Sequence, residues 1–107
     1  MQSEPTGLTI DVRSDPSGTR ARVEGDIDIS VVTPVQEILL QAIHTHGPLL
    51  LLDLSGVSFL DCAGLRALVM TRRRVELHGG SLQLVAPSAA VRRILRLTGL
   101  QELIPSS

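Results

Sequence analysis

Aromatic side chains are almost missing from this sequence of 107 residues. Phe59 is the one aromatic residue, and the chain has no Trp and no Tyr. A surface that stacks the bases of single-stranded nucleic acid, or a cage that holds a cationic ligand, needs several aromatic rings. The sequence therefore excludes both kinds of site and predicts a core built from aliphatic side chains.

Cysteine is equally scarce. The chain has one, Cys62, which excludes an internal disulfide and a metal site built from several thiolates. A single thiol is compatible with a reducing cytosol. No apolar run approaches the length that crosses a bilayer, and residues 1–7 do not resemble an export signal. We therefore expect a cytoplasmic protein.

Positive and negative charges nearly balance. The basic residues are all Arg, and the formal net charge is -1 at pH 7, so no overall attraction draws the protein to nucleic acid or to an anionic membrane. The densest positive run is Arg72–Arg74, whose side chains would fan around most of a helix, which is typical of a solvated face. We predict no direct binding to nucleic acid and none to membranes.

Apolar periodicity predicts one domain of class α/β with the order β-β-α-β-α-β-α. Strands that are separated by helices favour parallel pairing, whereas the first two strands, joined by a short turn, favour a hairpin. We therefore expect a single-layer mixed β-sheet of about four to five strands with helices packed against it. The predicted strands are Leu8–Val12, Arg20–Glu24, Leu49–Leu52 and Ser81–Val85, and the predicted helices follow Thr33, Asp61 and Ser88.

Capping signals define the predicted helix starts. Thr33 and Gln36 have the spacing of a capping box around Pro34, which suits the first helical position. Asp61 and Ser88 are the natural N-caps of the second and third helices. We therefore expect all three helices to begin directly after these caps.

The prediction has four further details between and beside the helices. Gly25 is expected to break or bulge the second strand. The run Leu49–Leu52 is typical of a central strand covered on both faces. Residues 55–60 are expected to form a loop into the second helix, and Leu100–Ile104 a last short apolar turn.

Few side chains suggest catalysis or a metal. The three histidines, at 44, 46 and 78, have no second ligand at a recognised spacing, and no nucleotide-binding glycine motif occurs, so we predict neither a metal nor a cofactor. Asp26 and Asp28 could pair as acid and base, but a solvated strand edge explains them equally well. Cys62 at a helix N-terminus could be activated as a thiolate, yet no base or anion cradle is placed to assist it.

The second helix carries an unusual outer face. Arg66, Met70, Arg73 and Leu77 share one sector away from the predicted core face, a mixture that suits protein–protein contact. Arg72 and Glu76 are expected to form an i,i+4 pair past the edge of the sheet.

The segment Leu52–Leu65, LDLSGVSFLDCAGL, resembles the signature of STAS domains, specifically of the stand-alone anti-sigma factor antagonists. Gly25–Asp28 resembles that family's Gly-Glu-Leu-Asp stretch, and Val91–Ile104 is similar to its final helix and tail. The resemblance covers nearly the whole chain in the right order, so we interpret residues 1–107 as a single STAS-like domain.

The resemblance implies a non-enzymatic protein that binds an anti-sigma factor, often a serine kinase, and frees a sigma factor for RNA polymerase. In the family, phosphorylation of the serine that follows the signature aspartate ends the binding. Here Asp61 is followed by Cys62, so ordinary phosphorylation at this position is not expected. Three alternatives follow: permanent competence to bind, redox modification of Cys62, or control moved to Ser55, Ser58 or Thr71. A laboratory replacement of serine is a further explanation.

The predicted partner is an anti-sigma factor or serine-protein kinase, and the domain itself is expected to be a monomer or a weak dimer. The alternative functions are a redox-responsive or otherwise non-phosphorylated STAS signalling module centred on Cys62, and a STAS module in another assembly. The predicted partner-binding residues are Asp26, Asp28, Ser58, Asp61, Cys62, Ala63, Gly64, Arg66 and Met70.

Overall fold

A computed structural model of the chain describes residues 8–16, 18–28, 30 and 32–103. It confirms the predicted order of elements and adds a short 3-10 turn at Gln101–Leu103. Ile104, which was expected to extend that turn, lies outside the described residues. The elements are β1 Leu8–Asp15, β2 Gly18–Ile27, α1 Val32–His46, β3 Leu49–Leu60, α2 Cys62–Leu77, β4 Ser81–Val85 and α3 Ala89–Thr98.

The strands form one mixed sheet in the order β1-β2-β3-β4. β1 and β2 are the predicted antiparallel hairpin, in which Asp15 is paired with Gly18. β2 pairs with β3 in parallel, and β3 pairs with β4 in parallel. The prediction of a mixed sheet of about four to five strands, with β3 inside it, is therefore confirmed by a sheet of four strands.

One face of the sheet forms the core with the helices. On β3, Leu50, Leu52 and Leu54 are completely buried, whereas Leu49, on the other face, is 39% exposed. The prediction that both faces of Leu49–Leu52 are covered is therefore wrong. Leu49 is partly exposed because, in the described part of the chain, the core and the helices that cover it lie on the face of the sheet that carries Leu50. The opposite face carries charged side chains such as Arg22 and Glu24.

The helix caps are confirmed for α2 and α3 but not for α1. Asp61 accepts a hydrogen bond from the Gly64 N–H at 2.7 Å, and Ser88 accepts one from the Val91 N–H at 3.3 Å. α1 begins at Val32, so Thr33 lies inside the helix and the prediction that it is the N-cap is wrong. The proline that follows is tolerated because first-turn N–H groups have no partner within the helix.

Residues 55–60 are strand rather than the predicted loop. These residues extend β3 alongside β2. The pairing of the two strands shifts register twice, and β2 bulges at Gly25, where φ is 113°. Gly56 lets the two strands approach closely here, because a Cβ at this position would lie 2.5 Å from Glu24 Cγ and 3.1 Å from the Val23 carbonyl oxygen. Pairing with a bulged neighbour explains why a segment rich in Ser and Gly forms a strand.

A charged pair joins β2 and β3 on the open face of the sheet. The Asp53 carboxylate is 3.0 Å from Arg20 Nη2 and accepts a hydrogen bond from the Ser55 N–H at 2.9 Å. Burial raises the pKa of Asp53, but the hydrogen bonds from Ser55 and the Arg20 guanidinium outweigh burial, so its pKa lies below the ordinary value. The folded protein therefore holds Asp53 ionised.

Replacing Asp53 by Asn is expected to lower the free energy of unfolding at pH 7 by about 1–3 kcal/mol, since hydrogen bonds to a charged group are lost. The pKa of Asp53 is lower in the folded protein than in the unfolded chain. The ionised carboxylate therefore stabilises the fold above the unfolded pKa of about 4, and this stabilisation is lost as the pH falls through the folded pKa. In urea unfolding between pH 7 and pH 2.5, the free energy of unfolding should fall less steeply with decreasing pH for Asp53→Asn than for the parent protein. The control is Asp11→Asn, in an exposed pair with Arg13, which should change little. Identical acid profiles for Asp53→Asn and the parent protein would contradict this role.

Candidate functional site

The two inner parallel strands end side by side. Ile27 at the end of β2 is paired with Leu60 at the end of β3, so the segments that follow both strands leave from the same edge of the sheet. Ligand and partner sites in α/β folds commonly lie at such carboxyl ends. This edge brings Asp28, which follows β2, to the same end of the sheet as Asp61, which follows β3.

Gly64 holds the start of α2 against the end of β2. A Cβ at this position would lie 2.7 Å from the Ile27 carbonyl oxygen and 2.8 Å from Leu60 Cδ1. Gly64 is buried and permits the close approach of α2 to β2 that forms the edge. Its role as a partner contact stays a prediction.

Asp61 is fixed in place as the cap of α2. Its Oδ1 atom accepts the hydrogen bond from Gly64, and its backbone carbonyl accepts one from the Leu65 N–H at 2.9 Å. A carboxylate at a helix N-terminus is also stabilised by the helix dipole. Asp61 therefore presents a negative charge at a defined point beside the exposed Cys62.

Asp28 is held by two hydrogen bonds from Ser30. Its carboxylate accepts hydrogen bonds from the hydroxyl and the backbone N–H of Ser30, the latter at 2.9 Å, and these two bonds lower the pKa of Asp28. Asp26 is exposed on β2. The edge thus carries three carboxylates, at 26, 28 and 61, which suit a partner surface of basic residues.

Phe59 is the residue of this edge that the sequence prediction missed. It is paired with Asp26 across the two strands and is 49% exposed. The available signal was that the one aromatic residue of an aliphatic chain stands two positions before Asp61. The prediction of a loop at residues 55–60 gave Phe59 no defined position. Only the pairing register of β3 with β2 puts Phe59 opposite Asp26.

The other predicted contact residues are accessible. Ser58 is exposed on β3, and Ala63 and Arg66 are exposed on α2. Met70 is 59% exposed further along the same helix. With Cys62, they form a surface that begins at the sheet edge and continues on α2.

The outer face of α2 is as predicted. Arg73 is exposed and Leu77 is 85% exposed, whereas Leu65, Leu68 and Val75 are buried. The predicted pair Arg72–Glu76 is also present, with Arg72 Nε 3.6 Å from the carboxylate.

The hydroxyl groups considered for regulation differ in access. Ser55 and Ser58 are exposed, but Thr71 is 2% exposed. Its hydroxyl donates to the Ala67 carbonyl at 2.7 Å and accepts from Gln36 Nε2 at 3.0 Å. Phosphorylation of Thr71 would require local unfolding of α2, so the folded protein disfavours this alternative.

The histidines do not add a metal site to the edge. His44 and His78 are in edge-to-face contact, with ring centroids 6.4 Å apart, where α1 and α2 end. No group of three or more possible metal ligands occurs within residues 8–16, 18–28, 30 and 32–103. In that same part of the chain, no helix is long and apolar enough to cross a membrane.

The arrangement matches a known family. The family model described as "Mlab, STAS domain" matches residues 10–105. The chain belongs to the STAS domain family. The anti-sigma-B factor antagonist of Bacillus subtilis is 31% identical over 100 residues, which cover 94% of this chain and 91% of the relative. The anti-sigma-F factor antagonist RsfB of Mycobacterium tuberculosis is 28% identical, with 94% and 81% covered.

Solved structures of STAS proteins show the same fold. An anti-sigma factor antagonist from Mycobacterium paratuberculosis is similar with a TM-score of 0.74 and 30% identity, over 97% of this chain and 88% of that one. Unphosphorylated SpoIIAA, an anti-sigma factor antagonist from Bacillus, is similar with a TM-score of 0.69 and 20% identity, over 92% and 87%. The predicted STAS fold is therefore confirmed.

Proposed function

We propose that this chain is an anti-sigma factor antagonist, which binds an anti-sigma factor and thereby releases a sigma factor for transcription. The observation that carries the proposal is the shared edge, where the ends of β2 and β3 bring Asp28 to the same side as Asp61 and Cys62. The names of the relatives in Bacillus subtilis and Mycobacterium tuberculosis support the same function. The protein would act in the cytoplasm, where RNA polymerase works.

The proposed contact is a docking surface without catalysis. Half-exposed Phe59 and exposed Cys62 supply apolar surface that a partner can cover. The carboxylates at 26, 28 and 61 lie at the same end of the sheet and would pair with Arg or Lys of the partner. Such an arrangement, apolar within and charged at the rim, is typical of specific protein interfaces.

We infer that the anti-sigma factor is a serine-protein kinase, as the STAS resemblance implies. Such a kinase transfers a phosphoryl group to a hydroxyl oxygen, whereas Cys62 offers a sulfur. The antagonist would then remain able to bind while its kinase partner is active. The exposed serines 55 and 58 are the remaining hydroxyl candidates for control on this stretch of β3.

A redox-responsive module is the second candidate function. The supporting observation is that Cys62, the one thiol of the sequence, is exposed at the first position of α2. Oxidation by peroxide to a sulfenic acid would add a polar group at the centre of the edge. The rate at which Cys62 reacts with hydrogen peroxide separates this function from simple binding: a rate no faster than that of a free thiol would argue against it.

The binding proposal is tested by titrating the purified chain with each anti-sigma factor encoded in its own genome. We expect one of them to form a complex. Asp26→Lys should weaken that complex by about tenfold to a hundredfold, because a like charge replaces an attractive one at the rim. The matched control is Asp11→Lys on β1, outside the edge, which should bind as the parent does. Failure of every anti-sigma factor to bind the parent chain would refute the proposed function.

A further inference from the structure

The C-terminal ends of α1 and α2 bring two histidines together. His44 lies in the last turn of α1, His78 directly follows α2, and their rings are in edge-to-face contact with centroids 6.4 Å apart. Both side chains are exposed. The two residues are far apart in the sequence, so no spacing of ligands along the chain reveals the pair.

The fold holds these two helix ends beside each other. The first N–H of β4 donates a hydrogen bond to the Pro48 carbonyl at 2.8 Å, just beyond the end of α1. Gly80 lies so close to α1 that a Cβ there would be 3.1 Å from Ile43 Cδ1. Ile43 precedes His44 and belongs to the core. The backbone of His44 is therefore anchored next to the turn that carries His78, and only the two rings are free to adjust.

The ring of His78 has the hydrogen-bonding pattern of a metal ligand. Its Nδ1 atom is 2.9 Å from the Arg74 carbonyl oxygen. A carbonyl oxygen only accepts hydrogen bonds, so Nδ1 carries the hydrogen and Nε2 of the neutral ring keeps a free lone pair. Histidines that bind metals almost always donate their other ring N–H in this way, which fixes the orientation of the ring. Within the described residues, the ring of His44 forms no hydrogen bond, so its nitrogens are free as well.

The separation of the two rings suits ligands of a single ion. An imidazole nitrogen binds zinc at about 2.0–2.1 Å, which places two rings on one ion with their centroids about 5–6.5 Å apart. The observed 6.4 Å lies in this range, so rotation of the exposed rings is sufficient to direct one nitrogen of each towards a common point. Imidazole ligands suit Zn²⁺, Cu²⁺ and Ni²⁺, whereas Mg²⁺ and Ca²⁺ prefer oxygen.

We propose that His44 and His78 form a binding site for one divalent transition-metal ion, which links the ends of α1 and α2. In the part of the chain that the structure describes, no third His, Cys, Asp or Glu joins them, so water completes the coordination. Cys62 begins the 16-residue helix α2 that His78 follows, so it lies about 24 Å away at about 1.5 Å per residue and takes no part. The site is at the opposite end of β3 from the edge that carries Asp61, and it does not depend on the proposed function.

The first test titrates Zn²⁺ into the full chain with Cys62→Ser, so that the exposed thiol cannot bind the metal. We expect one ion per chain. His44→Gln and His78→Gln should each weaken the Kd by at least about tenfold, since the loss of a ligand costs no less than the loss of its hydrogen-bonding partner. The matched control is His46→Gln, at an exposed position in the same last turn of α1, which should bind within about twofold because it removes no ligand.

Imidazole ¹⁵N spectra supply a readout that a change in stability would not move. The sequence has three histidines, and the three substitutions assign their ring signals. Zn²⁺ should shift Nε2 of His78 and one ring nitrogen of His44, while Nδ1 of His78 keeps its hydrogen and the signals of His46 stay in place.

Two results would overturn the site. One is a loss of affinity in His46→Gln as large as that in His44→Gln, which would mean that Zn²⁺ binds adventitiously to surface imidazoles. The other is a chain that binds no Zn²⁺, or whose His44 and His78 ring signals do not change when Zn²⁺ is added. Neither result bears on the binding of an anti-sigma factor, which concerns the other end of β3.

Discussion

Replacing Cys62 by Glu is expected to weaken binding to the anti-sigma factor strongly without unfolding the domain. Cys62 is exposed at the start of α2, directly after Asp61 and at the edge that also carries Asp28. A further negative charge there would be desolvated among carboxylates when the partner docks, at a cost of about 3 kcal/mol, or about a hundredfold in Kd. The helix N-terminus favours an anion, so thermal unfolding should be unchanged.

The matched control for this variant is Cys62→Gln, which has the size of Glu without its charge. Isothermal titration should give Cys62→Gln a Kd much closer to that of the parent than to that of Cys62→Glu. Equal losses for the two variants would mean that size, and not charge, governs the edge.

A third substitution at this position connects it to the kinase. Cys62→Ser should bind like the parent, because a hydroxyl replaces a thiol of similar size. Incubated with the cognate kinase and ATP, it should gain a phosphate at position 62 and then lose binding, while the parent gains none there. Phosphate found on Ser58 of the parent would show that control has moved along β3.

Gly64→Val is expected to have the largest effect on stability. A Cβ at Gly64 would lie 2.7 Å from a backbone oxygen of β2, which cannot move without the strand. Substituting Gly within a helix by Ala ordinarily stabilises it by about 1 kcal/mol, but here overpacking of about 1–3 kcal/mol opposes that gain, so Gly64→Ala should be destabilising and Gly64→Val more so. Urea unfolding gives the free energies.

The control for Gly64→Val is Ala63→Val, one position earlier in the same helix turn but exposed. It should cost less than about 1 kcal/mol, which is the difference in helix propensity alone. A Gly64→Val variant as stable as Ala63→Val would contradict the close approach of α2 to β2.

Many of the features that the sequence predicted have local causes. The hairpin of β1 and β2 and the caps Asp61 and Ser88 each depend on residues a few positions apart. The i,i+4 pair Arg72–Glu76 is of the same kind. Periodicity and capping chemistry are sufficient for such features because the interacting groups are fixed by the helix or turn itself.

Apart from the start of α1, the features that it missed depend on distant parts of the chain. Residues 55–60 form a strand because β2 continues beside them through a bulge, and Leu49 is partly exposed because the core lies on the other face of β3. The register that puts Phe59 opposite Asp26 belongs to the same class. Pairing and layer arrangement of this kind leave no local pattern in the sequence.

The sequence predicted most residues of the candidate site, and the structure shows that they differ in exposure. Cys62 and Ser58 are exposed and can meet a partner, whereas Gly64 is buried and positions α2. The difference arises from the approach of the Ile27 carbonyl, which only the folded register of β2 and β3 creates.

The release of a sigma factor is the most direct test of this account. A preformed complex of sigma factor and anti-sigma factor is titrated with the purified chain, and free sigma factor is measured together with transcription from a promoter that depends on it. We predict that the parent chain and Cys62→Ser release the sigma factor in proportion to the amount added, and that Cys62→Glu does not. A sigma factor that stays bound at saturating amounts of the parent chain would contradict the account.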